Sequence, residues 1–125
     1  MERVPIAEVR PELPSLEDKQ FHAVVSIVWP YSSIKGHCAL LLVEPDFRLR
    51  HKRGQVRVRF TGPSAEAVGE IGVGIGDEVI VSLHGARFIQ EETEIQTPGK
   101  SIEWELLFGH KLNLRVSVQA NLSRP

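Results

Sequence analysis

The sequence predicts an all-β domain: a small five-stranded barrel with one short helix between its third and fourth strands. Three observations predict it. Apolar residues recur at period two in several short runs. Gly and Pro punctuate those runs, and helical spacing is confined to one stretch of about eight residues. The chain of 125 residues has room for one domain with its own core.

Residues 1–19 contain three prolines and no sustained period, so they are expected as an extended lead-in before a domain at 20–119. Phe21, Ala23, Val25, Ile27 and Trp29 alternate as one face of the first strand, which Pro30 should end. Residues 31–36 read as a loop. The apolar run 38–43 suits a second strand covered on both faces. In 55–60, Val56, Val58 and Phe60 face one way while Gln55, Arg57 and Arg59 face the other. Residues 64–71 form the helix, with Ser64 as a plausible N-cap and Gly72, Gly74 and Gly76 ending it. A fourth strand spans 78–89 with Val79, Val81 and Leu83 inward. After an acidic loop at 90–100, Ile102, Trp104, Leu106 and Phe108 mark the next strand. Leu112, Leu114, Val116 and Val118 mark a further one or its bent continuation, and 120–125 is a polar tail expected to fray. Strands one to three without an intervening helix exclude a doubly wound parallel sheet. The order matches the oligonucleotide-binding (OB) arrangement, with small SH3-like barrels as the competitor.

Composition narrows the function. Cys38 is the single cysteine, so neither an internal disulfide nor a cysteine zinc cage is available, which fits a reducing compartment. His22, His37, His51, His84 and His110 lack metal-ligand spacing. The Gly72–Gly76 run lacks the Lys and Ser/Thr of a phosphate loop. No nucleophile motif appears, so no enzyme and no cofactor is expected, and no stretch is apolar enough for a membrane span.

The net charge is −1, yet its distribution is uneven. Six of the fifteen Lys and Arg residues fall within 48–59, where no acid occurs. Such a stripe can bind a phosphate backbone through counterion release; the plainer alternative is a solvated, edge-guarding hairpin. Candidate stacking rings are Trp29, Tyr31, Phe47, Phe88 and Trp104. Trp29 and Trp104 share the phase of aliphatic neighbours and read as core, as do Phe21, Phe60 and Phe108. Tyr31, after Pro30 in a polar loop, reads as the best platform.

Three segments carry a family likeness: Trp29-Pro30-Tyr31-Ser32-Ser33, residues 42–50, and Gly54-Gln55-Val56-Arg57-Val58-Arg59-Phe60. With residues 76–83 as a fourth strand, they resemble the telomere end-binding OB domain of protection-of-telomeres proteins, in a filamentous-fungal version. The resemblance implies a nuclear protein at telomeres that binds single-stranded G-rich DNA in the barrel groove. By that resemblance Tyr31, Ser33 and Lys35 belong to the first binding loop, Arg48, Arg50, Arg57 and Arg59 to strands two and three, and His84, Arg87 and Phe88 to the exit of strand four. Related domains in telomere complexes dock proteins instead, which makes a protein-interaction module the alternative function.

Overall fold

The computed structural model describes residues 1–90, 101–110 and 114–119. Eight strands and one α-helix lie among the described residues: β1 (Glu2–Arg3), β2 (Lys19–Ser32), β3 (His37–Val43), β4 (Gln55–Thr61), α1 (Gly62–Ile71), β5 (Glu78–Ser82), β6 (Arg87–Gln90), β7 (Trp104–Phe108) and β8 (Leu114–Val118). The hydrogen-bonded order is β6-β7-β4-β3-β2-β5-β8, with β1 added in parallel to β2. Strands β2, β3 and β4 form an antiparallel meander, β4 pairs in parallel with β7, and β2 pairs with β5 through its first half. The helix follows the third meander strand, as the OB reading requires.

Closure differs from expectation. The fourth strand is not one run over 78–89: it breaks into β5 and β6 at residues 83–86, where Gly85 has φ 75°. The eight-stranded sheet is therefore an open path of seven strands with β1 added beside β2, not a closed barrel of five. The path is nonetheless rolled. Strands β6 and β5 stand five gaps apart, about 24 Å on a flat sheet at ~4.8 Å per gap. Residues 83–86 reach at most about 17 Å when fully extended, so the sheet must curl to bring its distant strands together.

Most of the inward rows follow the alternation, Ile27, Trp29 and Val118 being the exposed exceptions. Phe21, Ala23 and Val25 from β2, Val56, Val58 and Phe60 from β4, Val79 and Val81 from β5, and Leu106 and Phe108 from β7 are all buried. Phe60 and Phe108 stack with centroids 5.8 Å apart. Helix α1 contributes Ala65 and Val68 to this core. It begins two residues earlier than read, with Thr61 at the N-cap, Pro63 in its first turn and Ser64 buried inside it. Gly72 closes the helix in the left-handed conformation at φ 74°.

The first 19 residues are built into the fold. Val4, Ile6, Val9 and Leu13 all belong to the core cluster. The Val4 N–H donates to the Gln20 carbonyl at 2.8 Å, and the Ile6 N–H donates to Oε2 of the buried Glu44 at 2.6 Å. That carboxylate fastens the leading segment to the base of the β3–β4 connection. The acidic residues Glu91, Glu92 and Glu94 of the expected 90–100 loop, Leu112, and the 120–125 tail lie outside the described residues.

The β3–β4 connection is held tightly at its end. A Cβ placed on Gly54 would stand 2.0 Å from the Leu49 carbonyl oxygen and 2.6 Å from Arg50 Cα. Gly54→Ala should therefore displace residues 46–53 and cost about 1–3 kcal/mol, within the range for overpacking a filled site. Chemical denaturation measures the loss; an unchanged midpoint would mean that the loop yields freely.

Candidate nucleic-acid interface

The outward face of the rolled sheet depends on a bulge in β2. Val25 pairs with Leu42 and Ile27 with Leu41, which leaves Ser26 as the extra residue. One inserted residue reverses the side-chain alternation beyond it. Val28 consequently turns toward the core, while Ile27 and Trp29 turn outward, Trp29 being 39% exposed. The sequence reading of Trp29 as core is thus corrected. Its in-phase spacing with Val25 assumed an uninterrupted strand, and the only local signal was a serine between valines and isoleucine. Nor does Pro30 end the strand, which continues to Ser32.

Registers then fix two rows across the outward face. Trp29, Ala39, Arg59, Leu107 and Arg87 lie side by side across β2, β3, β4, β7 and β6. One row along, Ile27, Leu41 and Arg57 are adjacent, and Ile89 pairs with Glu105. Arg57 and Arg59 share a face, as the alternation predicted.

Both arginines meet one carboxylate that was not foreseen. Arg59 Nη2 lies 2.9 Å from Glu105 Oε1, and Arg57 Nε lies 3.4 Å from Oε2. Glu105 is only 4% exposed. The Arg57 guanidinium also lies over the Trp29 ring, 4.6 Å from its centroid, a geometry in which the ring quadrupole attracts the cation. Two guanidiniums on one carboxylate leave a net positive charge. Their packing between Trp29 and Glu105 holds them in place. Next to them opens a cleft of about 510 Å³ lined by Trp29, Pro30, Ser32, Lys35, His37, Arg57 and Arg59, among others. Among the described residues, every charged side chain lining it is basic.

The other predicted residues are distributed differently. Lys35 joins the basic cleft, from the turn after β2. Tyr31 and Ser33 line a separate cleft beside α1, with the Tyr31 ring against Gly69, so Tyr31 does not share the groove of Arg57 and Arg59. Arg48 is turned to its own loop: its guanidinium bonds Asp46 at 3.0 Å and 3.2 Å, and these bonds hold the Asp46 carboxyl below the ordinary carboxylate range. Arg50 donates to the Glu44 carbonyl at 2.5 Å and covers the Phe47 ring at 4.0 Å. The expected gathering of four arginines with Tyr31 is corrected on this point. Only Arg57 and Arg59 lie on a strand, because the connection after Val43 leaves the sheet and forms a short 3-10 turn at Phe47–Leu49. His84 and Arg87 line a small hollow of about 200 Å³ with His110, at the Arg87 end of the first row. Phe88 faces the other way and meets Trp104 edge-on at 6.1 Å, so it is not a platform on this face.

A rolled sheet with this strand order, and a short helix after the third meander strand, is OB-like in fold. Within that class, the chain belongs to a domain family of unknown function, DUF8502, whose model matches residues 1–123. Two solved structures share the fold. One is a candidate aspartyl-tRNA synthetase from Leishmania major Friedlin, 15% identical, with a TM-score of 0.60 over 94% of this chain and 21% of that one. This chain thus spans about a fifth of the Leishmania protein's length. The other is Schizosaccharomyces pombe Pot1pC bound to single-stranded DNA of sequence CGGTTACGGT, 11% identical, with a TM-score of 0.56 over 99% of this chain and 91% of that one. No curated protein matches the chain in sequence.

Proposed function

We propose that this domain binds single-stranded nucleic acid across the outward face of β2, β3, β4, β7 and β6, and that it is a binding module, not an enzyme. The observation that carries the reading is the basic cleft in which Arg57 lies over Trp29 beside Arg59, Lys35 and His37. A π-face and fixed cations in one open groove suit a backbone of phosphates with stackable bases. The row from Trp29 to Arg87 crosses four strand gaps, about 19 Å at ~4.8 Å each. That length takes about six nucleotides at ~3.4 Å per stacked step.

The finer reading follows the sequence resemblance. The ligand is G-rich single-stranded DNA of chromosome ends, the site of action is the telomere in the nucleus, the role is end protection, and the chain is a filamentous-fungal version of the domain. Pot1pC, which shares the fold, was solved with the single strand CGGTTACGGT, and this supports the choice of probe.

Titration of the folded domain with labelled CGGTTACGGT, at two salt concentrations, tests the proposal. Saturable binding is expected, weakening with salt at a log–log slope of about −0.7 per phosphate contacted. Trp29→Ala should cost about 1–3 kcal/mol of affinity, the worth of one stacked base, while leaving the fold intact because the ring is part-exposed. Absence of binding at the lower salt, with the domain folded, overturns the reading. The RNA strand of the same sequence separates DNA from RNA recognition, since the 2′-hydroxyl is the distinguishing group.

A further inference from the structure

A second cleft, of about 650 Å³, opens on the other side of the β2 end, against α1. Trp29 and Pro30 form the wall between it and the basic groove, since both line each one. Its interior is apolar: Val28, Leu40, Val68 and Val73 line it, with Cys38 at its base. Burial pushes the Cys38 thiol up, so the sulfur stays protonated and neutral. Tyr31 lies against the bare backbone of Gly69, where an added Cβ would come within 3.1 Å of the Tyr31 Cβ and 3.3 Å of its ring. The missing side chain lets Tyr31 pack closely on α1, where it forms one side of the cleft.

Among the described residues, the charged ones lining this cleft are Glu66 and Glu70. They lie one helical turn apart, which places both on the same flank of α1. The two clefts therefore have opposite charge across a shared wall. A phosphate backbone suited to one is repelled by the other. We infer that the cleft between α1 and the end of β2 is a docking groove for a short peptide segment of a partner protein, one that inserts an apolar side chain and sets Lys or Arg against Glu66 and Glu70. The volume falls within the range of built ligand sites, about 300–1,000 Å³. Complementary charge at such a rim selects the partner more than it adds affinity. This inference is independent of nucleic-acid binding.

The test uses the full chain, labelled with nitrogen-15, and two acetylated tetrapeptide amides of alternating sequence: phenylalanine with lysine, and phenylalanine with glutamate. The lysine peptide should shift the amide signals of Tyr31, Gly69 and Gly72, with a dissociation constant of about a millimolar, the weak end expected for so small a contact. The glutamate peptide should not. Glu66→Lys with Glu70→Lys, both exposed positions, should reverse that preference without unfolding the domain. Equal response to both peptides, shifts confined to other surfaces, or unchanged preference in the charge-reversed chain would overturn the inference. So would concentration-dependent self-association abolished by the same two changes, because the occupant would then be a second copy.

Discussion

Ile6→Ala should destabilise the domain by about 2–5 kcal/mol, as truncation of a buried isoleucine does elsewhere. Ile6 is fully buried, although it lies in a stretch of the sequence without period. Its neighbours in the core cluster are Val4, Val9 and Leu13. Its own N–H is held by Glu44, so the backbone cannot slide to refill the space that the alanine leaves. Against a typical total stability of about 5–15 kcal/mol, that loss should appear as a melting temperature lower by roughly 10 °C or more. Differential scanning calorimetry checks it. A solvated lead-in would respond by less than about 0.5 kcal/mol, so a change that small would show that residues 1–19 do not pack as described.

That segment marks one limit of legibility. Strands β4, β5 and β7 and the helix were readable because each carries its own period, which reports the buried face, and β3 because its unbroken apolar run marks a strand covered on both faces. Val4, Ile6, Val9 and Leu13 have irregular spacing because their segment alternates between extended pieces and 3-10 turns at Ile6–Glu8 and Leu16–Asp18. No single helical or strand template spans them. The break of the fourth strand was hidden for a related reason. Leu83 keeps the inward phase of Val79 and Val81, and only Gly85 hints that the chain turns.

The site was half legible. Arg57 and Arg59 could be placed on one face because their strand is regular. Trp29 could not, because the Ser26 bulge shifts phase and leaves no strong sequence signature. Glu105 was hidden by distance. Its partners lie 48 and 46 positions earlier, and only the parallel pairing of β4 with β7 brings it beneath them. A glutamate flanked by Trp104 and Leu106 shows in the sequence as the polar half of an alternation, not as the anchor of two arginines.

Glu105→Gln should tighten binding of a single-stranded oligonucleotide by up to about tenfold at low salt. The buried carboxylate occupies the guanidiniums of Arg57 and Arg59 as a phosphate oxygen would. It also repels an incoming phosphate. At a separation of about 6 Å and an effective dielectric constant of about 20, that repulsion is roughly 3 kcal/mol. Its removal competes with the loss of alignment, about 0.5–1.5 kcal/mol for each arginine left less ordered. Repulsion is the larger effect unless both arginines lose the full amount. Retained packing of Arg57 on Trp29 and the amide oxygen left for Arg59 work against that. Arg59→Ala works in the opposite sense twice over. It removes a cation from the groove and leaves Glu105 buried with Arg57 alone, at 3.4 Å. Stability should then fall, by less than the roughly 3–5 kcal/mol of a fully buried pair because the Arg59 side chain is 40% exposed. Changing Arg57, Arg59 and Glu105 all to Gln separates the two effects. With no charge left to strand, this variant should fold, yet its salt slope should drop by about 1.4, the share of two phosphate contacts on a single strand. Fluorescence anisotropy across a salt series reads all three variants. If Glu105→Gln weakens binding while the fold is intact, or the triple variant keeps the native slope, then the phosphates lie elsewhere and the arginine pair serves only to hold β4 against β7.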